Sequence, residues 1–180
     1  FYEMFEQISK IPQFKNQEAT ILALNEKRVP RDLNKVLKGQ PNIFILAVTT
    51  ENKFFGVFFE KPIHDTTKKH KDATISVYSY DPDADVKFEG FEVREEHKKD
   101  VFIRLLTPET NAGAINVGVE GVGQLWIGSE LKDAYSENLS EVFEMKDPTK
   151  LTGHTGRGDE DFYHCSKVII LQISQQEPQP

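Results

Sequence analysis

A chain of 180 residues with a net charge of −7 suits one domain, and its overall field opposes binding to a phosphate backbone except where basic side chains cluster. One cysteine, Cys165, excludes an intramolecular disulfide framework and suits a reducing compartment. No apolar run reaches the ~18 residues of a membrane span, no signal peptide is visible, and an opening Phe1 in place of methionine leaves targeting open. A domain of this size should bury roughly 70% of its unfolded surface, so neither metal nor disulfide is needed to hold it together.

In chain order, Phe1, Met4, Phe5 and Ile8 fall on one face of a short amphipathic helix that Pro12 ends. It reads as the tail of an upstream coiled coil or, more simply, as a helix packed on its own domain. Asp32 and Gly39 bracket a second short helix whose Leu33, Val36 and Leu37 share a buried face. Ile43 to Val48 is apolar at every position, which predicts a strand covered on both faces. After the polar turn Thr49–Asn52, a second strand runs from Phe54 to Phe59 with Gly56 inside it. Ala73 to Tyr80 is a third strand, with Ile75, Val77 and Ser79 on one face. Lys87 to Val93 changes phase between Phe88 and Phe91, and a β-bulge at Gly90 would restore the register. Val101, Ile103 and Leu105 alternate with Phe102 and Leu106; Ile115, Val117 and Val119 alternate with Asn116, Gly118 and Glu120. Leu131, Tyr135, Leu139, Val142 and Phe143 have helical spacing, weakened by the serines and asparagine among them. Ser166 to Ile173 closes the domain as a buried strand, and SQQEPQP reads as a disordered tail. The predicted fold class is α+β, mainly β: an antiparallel two-sheet sandwich with short flanking helices. Residues 1–31 form a helix and lead-in, 32–173 the sandwich, and 174–180 the tail.

Several constellations invite a chemical reading. Asp81, Asp83, Asp85 and Glu92 have the oxygen-ligand spacing of a calcium loop, but Val86 stands where the sharp turn needs glycine, and strands rather than helices flank it. A solvated acidic hairpin turn is the simpler reading. Gly118, Gly121 and Gly123 fit neither GxGxxG nor a P-loop, and suit strands in close approach. His154, His164 and Cys165 lack a fourth zinc ligand. Cys165 before an apolar strand reads as a small buried hydrophobe, or as a redox thiol if exposed. No nucleophile elbow appears, Glu95-Glu96 and Asp159–Asp161 read as solvated charge, and Arg157-Gly158-Asp159 reads as a coincidental tripeptide. Basic residues gather at Lys27 to Lys38, at Lys68, Lys69, His70 and Lys71, and at Arg94, His97, Lys98 and Lys99. Lys68, Lys69, Lys71, Arg94, Lys98 and Lys99 are therefore the candidate nucleic-acid contacts, against the alternative of loops kept soluble by lysine.

An ordered series of segments resembles the TLDc domain family: FFGVFFEKPI, TISVYSYDPDADVKFEGFEV, GAINVGVEGVGQLWIGSEL, SENLSEVFEM and LTGHTGRGDEDFYHCSKVIILQI. The likeness covers roughly Asp32 to Ile173, is nearest to divergent protist-like members, and departs at Lys61-Pro62-Ile63, where animal domains carry a tryptophan-proline pair. The resemblance implies a β-sandwich flanked by helices, a role in oxidative-stress protection, no agreed catalytic centre and, for several relatives, contact with the vacuolar proton pump. The expected function is a non-catalytic domain that binds a protein assembly in the cytosol or nucleus. No cofactor, small-molecule substrate or membrane insertion is expected. Surface loops at Gly121–Glu130 and Ser136–Asp161 are the expected contacts, with Glu130, Glu137, Asn138, His154 and Arg157 as candidates. The alternatives are a DNA-binding regulator using the basic clusters and a redox sensor or enzyme at Cys165.

Overall fold

Two antiparallel sheets carry the computed structural model, which describes residues 6, 8–9, 14–15, 17–30, 32–105, 115–128, 130–131, 134–146, 151 and 164–175. The first sheet contains β1 (Gln17–Glu26), β2 (Ile43–Thr49), β3 (Phe54–Phe59), β5 (Ser76–Tyr80), β6 (Phe88–Glu92) and β11 (Cys165–Gln175), in the order β1-β11-β2-β3-β5-β6. The second contains β4 (His70–Lys71), β7 (Phe102–Leu105), β8 (Ile115–Val119), β9 (Gly123–Ile127) and β10 (Ala134–Glu137), in the order β10-β9-β8-β7-β4. Short helices α1 (Leu33–Leu37) and α2 (Leu139–Val142) flank them. This is the mainly β sandwich that the alternating strands predict.

The unbroken apolar run of β2 is explained by two cores. Ile43, Ile45 and Ala47 enter the main cluster between the sheets, while Phe44, Leu46 and Val48 enter a second cluster on the outer face of the first sheet. Ile8 and Phe14 cover that outer face, so the N-terminal segment packs on its own domain. Of the predicted first helix, Phe1, Met4, Phe5 and Pro12 lie outside the described residues.

The same two cores correct the reading of β6. Its pairing with β5 runs without a shift from Ser76–Glu92 to Tyr80–Phe88, so there is no bulge at Gly90. Phe91 enters the main core and Phe88 stacks on Tyr78 on the outer face, with centroids 5.7 Å apart. Apolar residues of opposite parity serve opposite faces. Bulges sit instead in β1, between Ile21 and Ala23, and in β11, between Cys165 and Lys167.

Residues 17–26, expected as lead-in, are the edge strand β1, paired along its length with β11. Ser174 and Gln175, expected in the tail, pair with Glu18 and Gln17; residues 176–180 lie outside the described residues. The helical spacing across 131–143 resolves into β10 followed by α2. Tyr135 opposes Trp126 and turns away from the core, since pairing with β9 outweighs local propensity. The helix at Leu33 ends as expected: Gly39 takes a φ of 76° and its N–H donates to Ile63 O at 2.8 Å. Asp32 stands at the N-cap but makes no side-chain cap bond.

Candidate functional site

An open groove of ≈ 630 Å³ lies where the end of β1, the β2–β3 turn, the start of β11 and the β9–β10 connection meet. Backbone bonds set its shape. Lys27 leaves β1 with a φ of 68°, and its N–H donates to Ser166 O at 3.1 Å. Thr50 N–H donates to His164 O at 2.9 Å, and Cys165 N–H to Leu131 O at 2.8 Å. Glu26, Lys27, Glu130, His164 and Lys167 line it together with Thr50, Ser166 and Cys165, and most of the surface they expose there comes from their carbon atoms. Charges of both signs around apolar surface suit a peptide segment better than a polyanion. Glu26, Lys27 and Thr50 were not legible as neighbours of Cys165, because nothing in the sequence pairs β1 with β11.

Cys165 is buried, and desolvation pushes its thiol up to about 12. Nucleophilic and peroxide chemistry needs the thiolate, and burial holds this thiol in its protonated form at neutral pH. It belongs to the main apolar cluster. His164 precedes it in sequence, whereas His154, the other residue of the considered zinc set, lies outside the described residues.

The six basic candidates do not form one face of free cations. Arg94 is a strut: its Nε donates to Ser140 O at 2.8 Å and its Nη2 to Met145 O at 3.5 Å, tying α2 to the end of β6. Lys69 pairs with Glu120 and lies over the Phe102 ring, 4.6 Å from its centroid. That pairing holds the Glu120 carboxyl below its usual value. Lys68 meets Asp65 at 3.8 Å and Lys98 meets Glu95 at 2.9 Å, the latter bond raising the Lys98 ammonium above its usual value. Lys71 and Lys99 are exposed and form no ion pair among the described residues.

The expected interaction loops are corrected in part. Gly121–Glu130 contains β9, and Ser136–Asp161 opens with the end of β10 and with α2, whose Leu139 and Val142 are buried. Alternation along β9 and its pairing with β8 and β10 place Gly123–Ile127 and Ser136–Glu137 in the sheet. Glu130 is exposed beside the groove. Glu137 opposes Gln124 at the far end of β10, so Glu137 and Glu130 do not converge. Asn138 is exposed, with a φ of 48°. A Cβ at Gly123 would come within 2.8 Å of the Asn138 carbonyl carbon, so glycine here serves close approach, as the spacing predicts. His154 and Arg157 lie outside the described residues. The acidic segment after β5 is a hydrogen-bonded turn: Asp81 Oδ1 accepts from Asp83 N–H at 3.0 Å, and Asp81 N–H donates to Lys87 O at 2.8 Å.

Two antiparallel sheets with short flanking helices agree with what the sequence resemblance implies. The family model of the TLDc domain matches residues 3–165. The chain belongs to the TLDc domain family. No curated protein matches it. The match reaches well before Asp32, in keeping with the place of β1 in the first sheet.

Proposed function

We propose that this chain is a non-catalytic TLDc interaction domain of the oxidative-stress response, acting in the cytosol or nucleus by binding a protein assembly, with the vacuolar proton pump as the first candidate. Membership of the TLDc family carries the reading. The groove beside Cys165 supports it, since carboxylates, ammonium groups and hydroxyls with exposed carbon surface between them suit a peptide segment. A redox role at Cys165 has less support, because burial keeps the thiol protonated. DNA binding has less support too, because Arg94 and Lys69 are committed to contacts within the domain. Among the described residues, no helix is long and apolar enough to cross a membrane.

The test is a pull-down from native lysate with the tagged chain, with and without nuclease, read by mass spectrometry. Proton-pump subunits or another defined assembly retained after nuclease, and lost on Glu130→Lys, support the proposal. Partners that vanish with nuclease, together with a salt-dependent affinity for a defined duplex that falls on charge reversal at Lys71 and Lys99, would replace it with DNA binding.

A further inference from the structure

Among the described residues the first sheet ends on β1, a strand of 10 residues. The other edges are shorter: β6 has 5 residues, β10 has 4 and β4 has 2. Long edges bearing apolar side chains are the ones that proteins normally blunt, because their unpaired N–H and C=O groups template another strand. Here the reverse holds. Ile21 and Leu24, exposed at 46% and 47%, both lie on β1.

The bulge makes them neighbours on one face. Ile21 opposes Leu171 and Leu24 opposes Ile169, two residues of the outer cluster. Leu22 and Ala23, between them, turn to the main core. Outer-face residues therefore stand on both sides of a two-residue inward step.

We propose that β1 is a self-association edge, through which two copies pair antiparallel about a two-fold axis passing between Leu22 and Ala23. A two-fold perpendicular to a continuous sheet preserves its faces, so each residue must oppose one from the same face. Setting Ile21 against the partner's Leu24 meets that condition along the strand. Thr20 then opposes the partner's Asn25 on the inner face, and Ala19 opposes the partner's Glu26 on the outer face. The inward step of one copy lies against the inward step of the other. Shifting the register by one or two residues sets Ile21 or Leu24 against an inward residue. The matched register also brings Glu18 to the strand end where the partner's Lys27 follows Glu26, twice by symmetry. Face matching, apolar pairing and charge thus select one occupant, a second copy of this chain. A junction of this size falls in the weak, reversible class, with dissociation constants of about micromolar or above.

Sedimentation equilibrium on the 180-residue chain across about 5–500 μM tests this. A reversible monomer–dimer equilibrium is expected, weakened about tenfold or more by Ile21→Lys with Leu24→Lys. Circular dichroism, and Tm at concentrations where the parent is monomeric, should stay close to the parent's, both positions being about half exposed. Glu18→Lys and Lys27→Glu should each weaken association about fivefold alone, and an equimolar mixture of the two variants should restore it through heterodimers. A wild-type chain that stays monomeric over that range overturns the proposal. So does a dimer indifferent to the Ile21 and Leu24 substitutions, or one for which the mixture recovers nothing.

Discussion

Gly56→Ala should destabilise the domain, although replacing a strand glycine ordinarily helps. β2 and β5 flank β3, so their backbones stand about 9.6 Å apart, yet the Phe44 and Tyr78 rings approach to 5.1 Å between centroids. They meet over Gly56, which pairs with Leu46 on one side and Tyr78 on the other. A Cβ there would lie 2.7 Å from Ile45 O, from Leu46 Cδ2 and from Phe44 Cε1. One of those atoms is backbone, so rotamer changes alone cannot clear the space. The lost glycine flexibility favours alanine by about 0.5–1 kcal/mol. Overpacking costs about 1–3 kcal/mol and parting the ring pair about 0.5–1.5 kcal/mol. The net is a loss of about 2 kcal/mol, which lowers Tm by roughly 4–8 °C in a domain of this size. Urea unfolding should show the loss with an unchanged slope. In a Phe44→Leu background the penalty should shrink by about 1 kcal/mol, because the two positions share one space. A Gly56→Ala chain as stable as the parent, or more so, would refute this account of the outer core.

Three further outcomes follow from contacts described above. With the Cys165 thiol pushed up to about 12, an unfolded chain ionises first as pH rises above the ordinary thiol range. Stability should then fall by as much as about 1.4 kcal/mol per pH unit from roughly pH 9 upward; a Cys165→Ala chain with the same alkaline slope would show that this thiol contributes nothing. Arg94→Ala should cost about 2–3 kcal/mol in chemical denaturation, and Arg94→Lys should recover little, since one ammonium cannot replace the guanidinium at both Ser140 O and Met145 O. A change under about 0.5 kcal/mol on Arg94→Ala would remove its role as a strut. Phe14→Ala should cost about 3–5 kcal/mol, because its ring lies 4.8 Å from Phe58 and also contacts Phe44 and Tyr78; a neutral result would mean that the N-terminal segment does not cover the outer face.

What could be read from the residues was whatever periodicity records. β2 declared two covered faces because every one of its positions is apolar, and β8 declared its inward set by alternation. β1 was not legible: an edge strand is half exposed, and its bulge breaks alternation at Leu22. Phe88 and Phe91 misled for a related reason. A change of parity signals a bulge when one face is buried, but here both faces are. At the site, the burial of Cys165 was legible from the apolar strand that follows it. The groove beside it was not, because Glu26, Thr50 and Glu130 converge through long-range pairing. Nor does charge clustering reveal that Arg94 is spent on backbone carbonyls of a segment some fifty residues away.

β11 lies between β1 and β2, and that order has a consequence in time. About 140 residues separate the end of β1 from the start of β11. At ordinary elongation rates the ribosome needs roughly 7–28 s to make them. Throughout that interval β1 and β2 each lack the neighbour that lies between them in the finished sheet. The first sheet therefore closes only after nearly the whole domain has been translated, and the nascent chain waits with its longest edge open. Slowing synthesis within the intervening residues should lengthen the period in which chaperones can hold it.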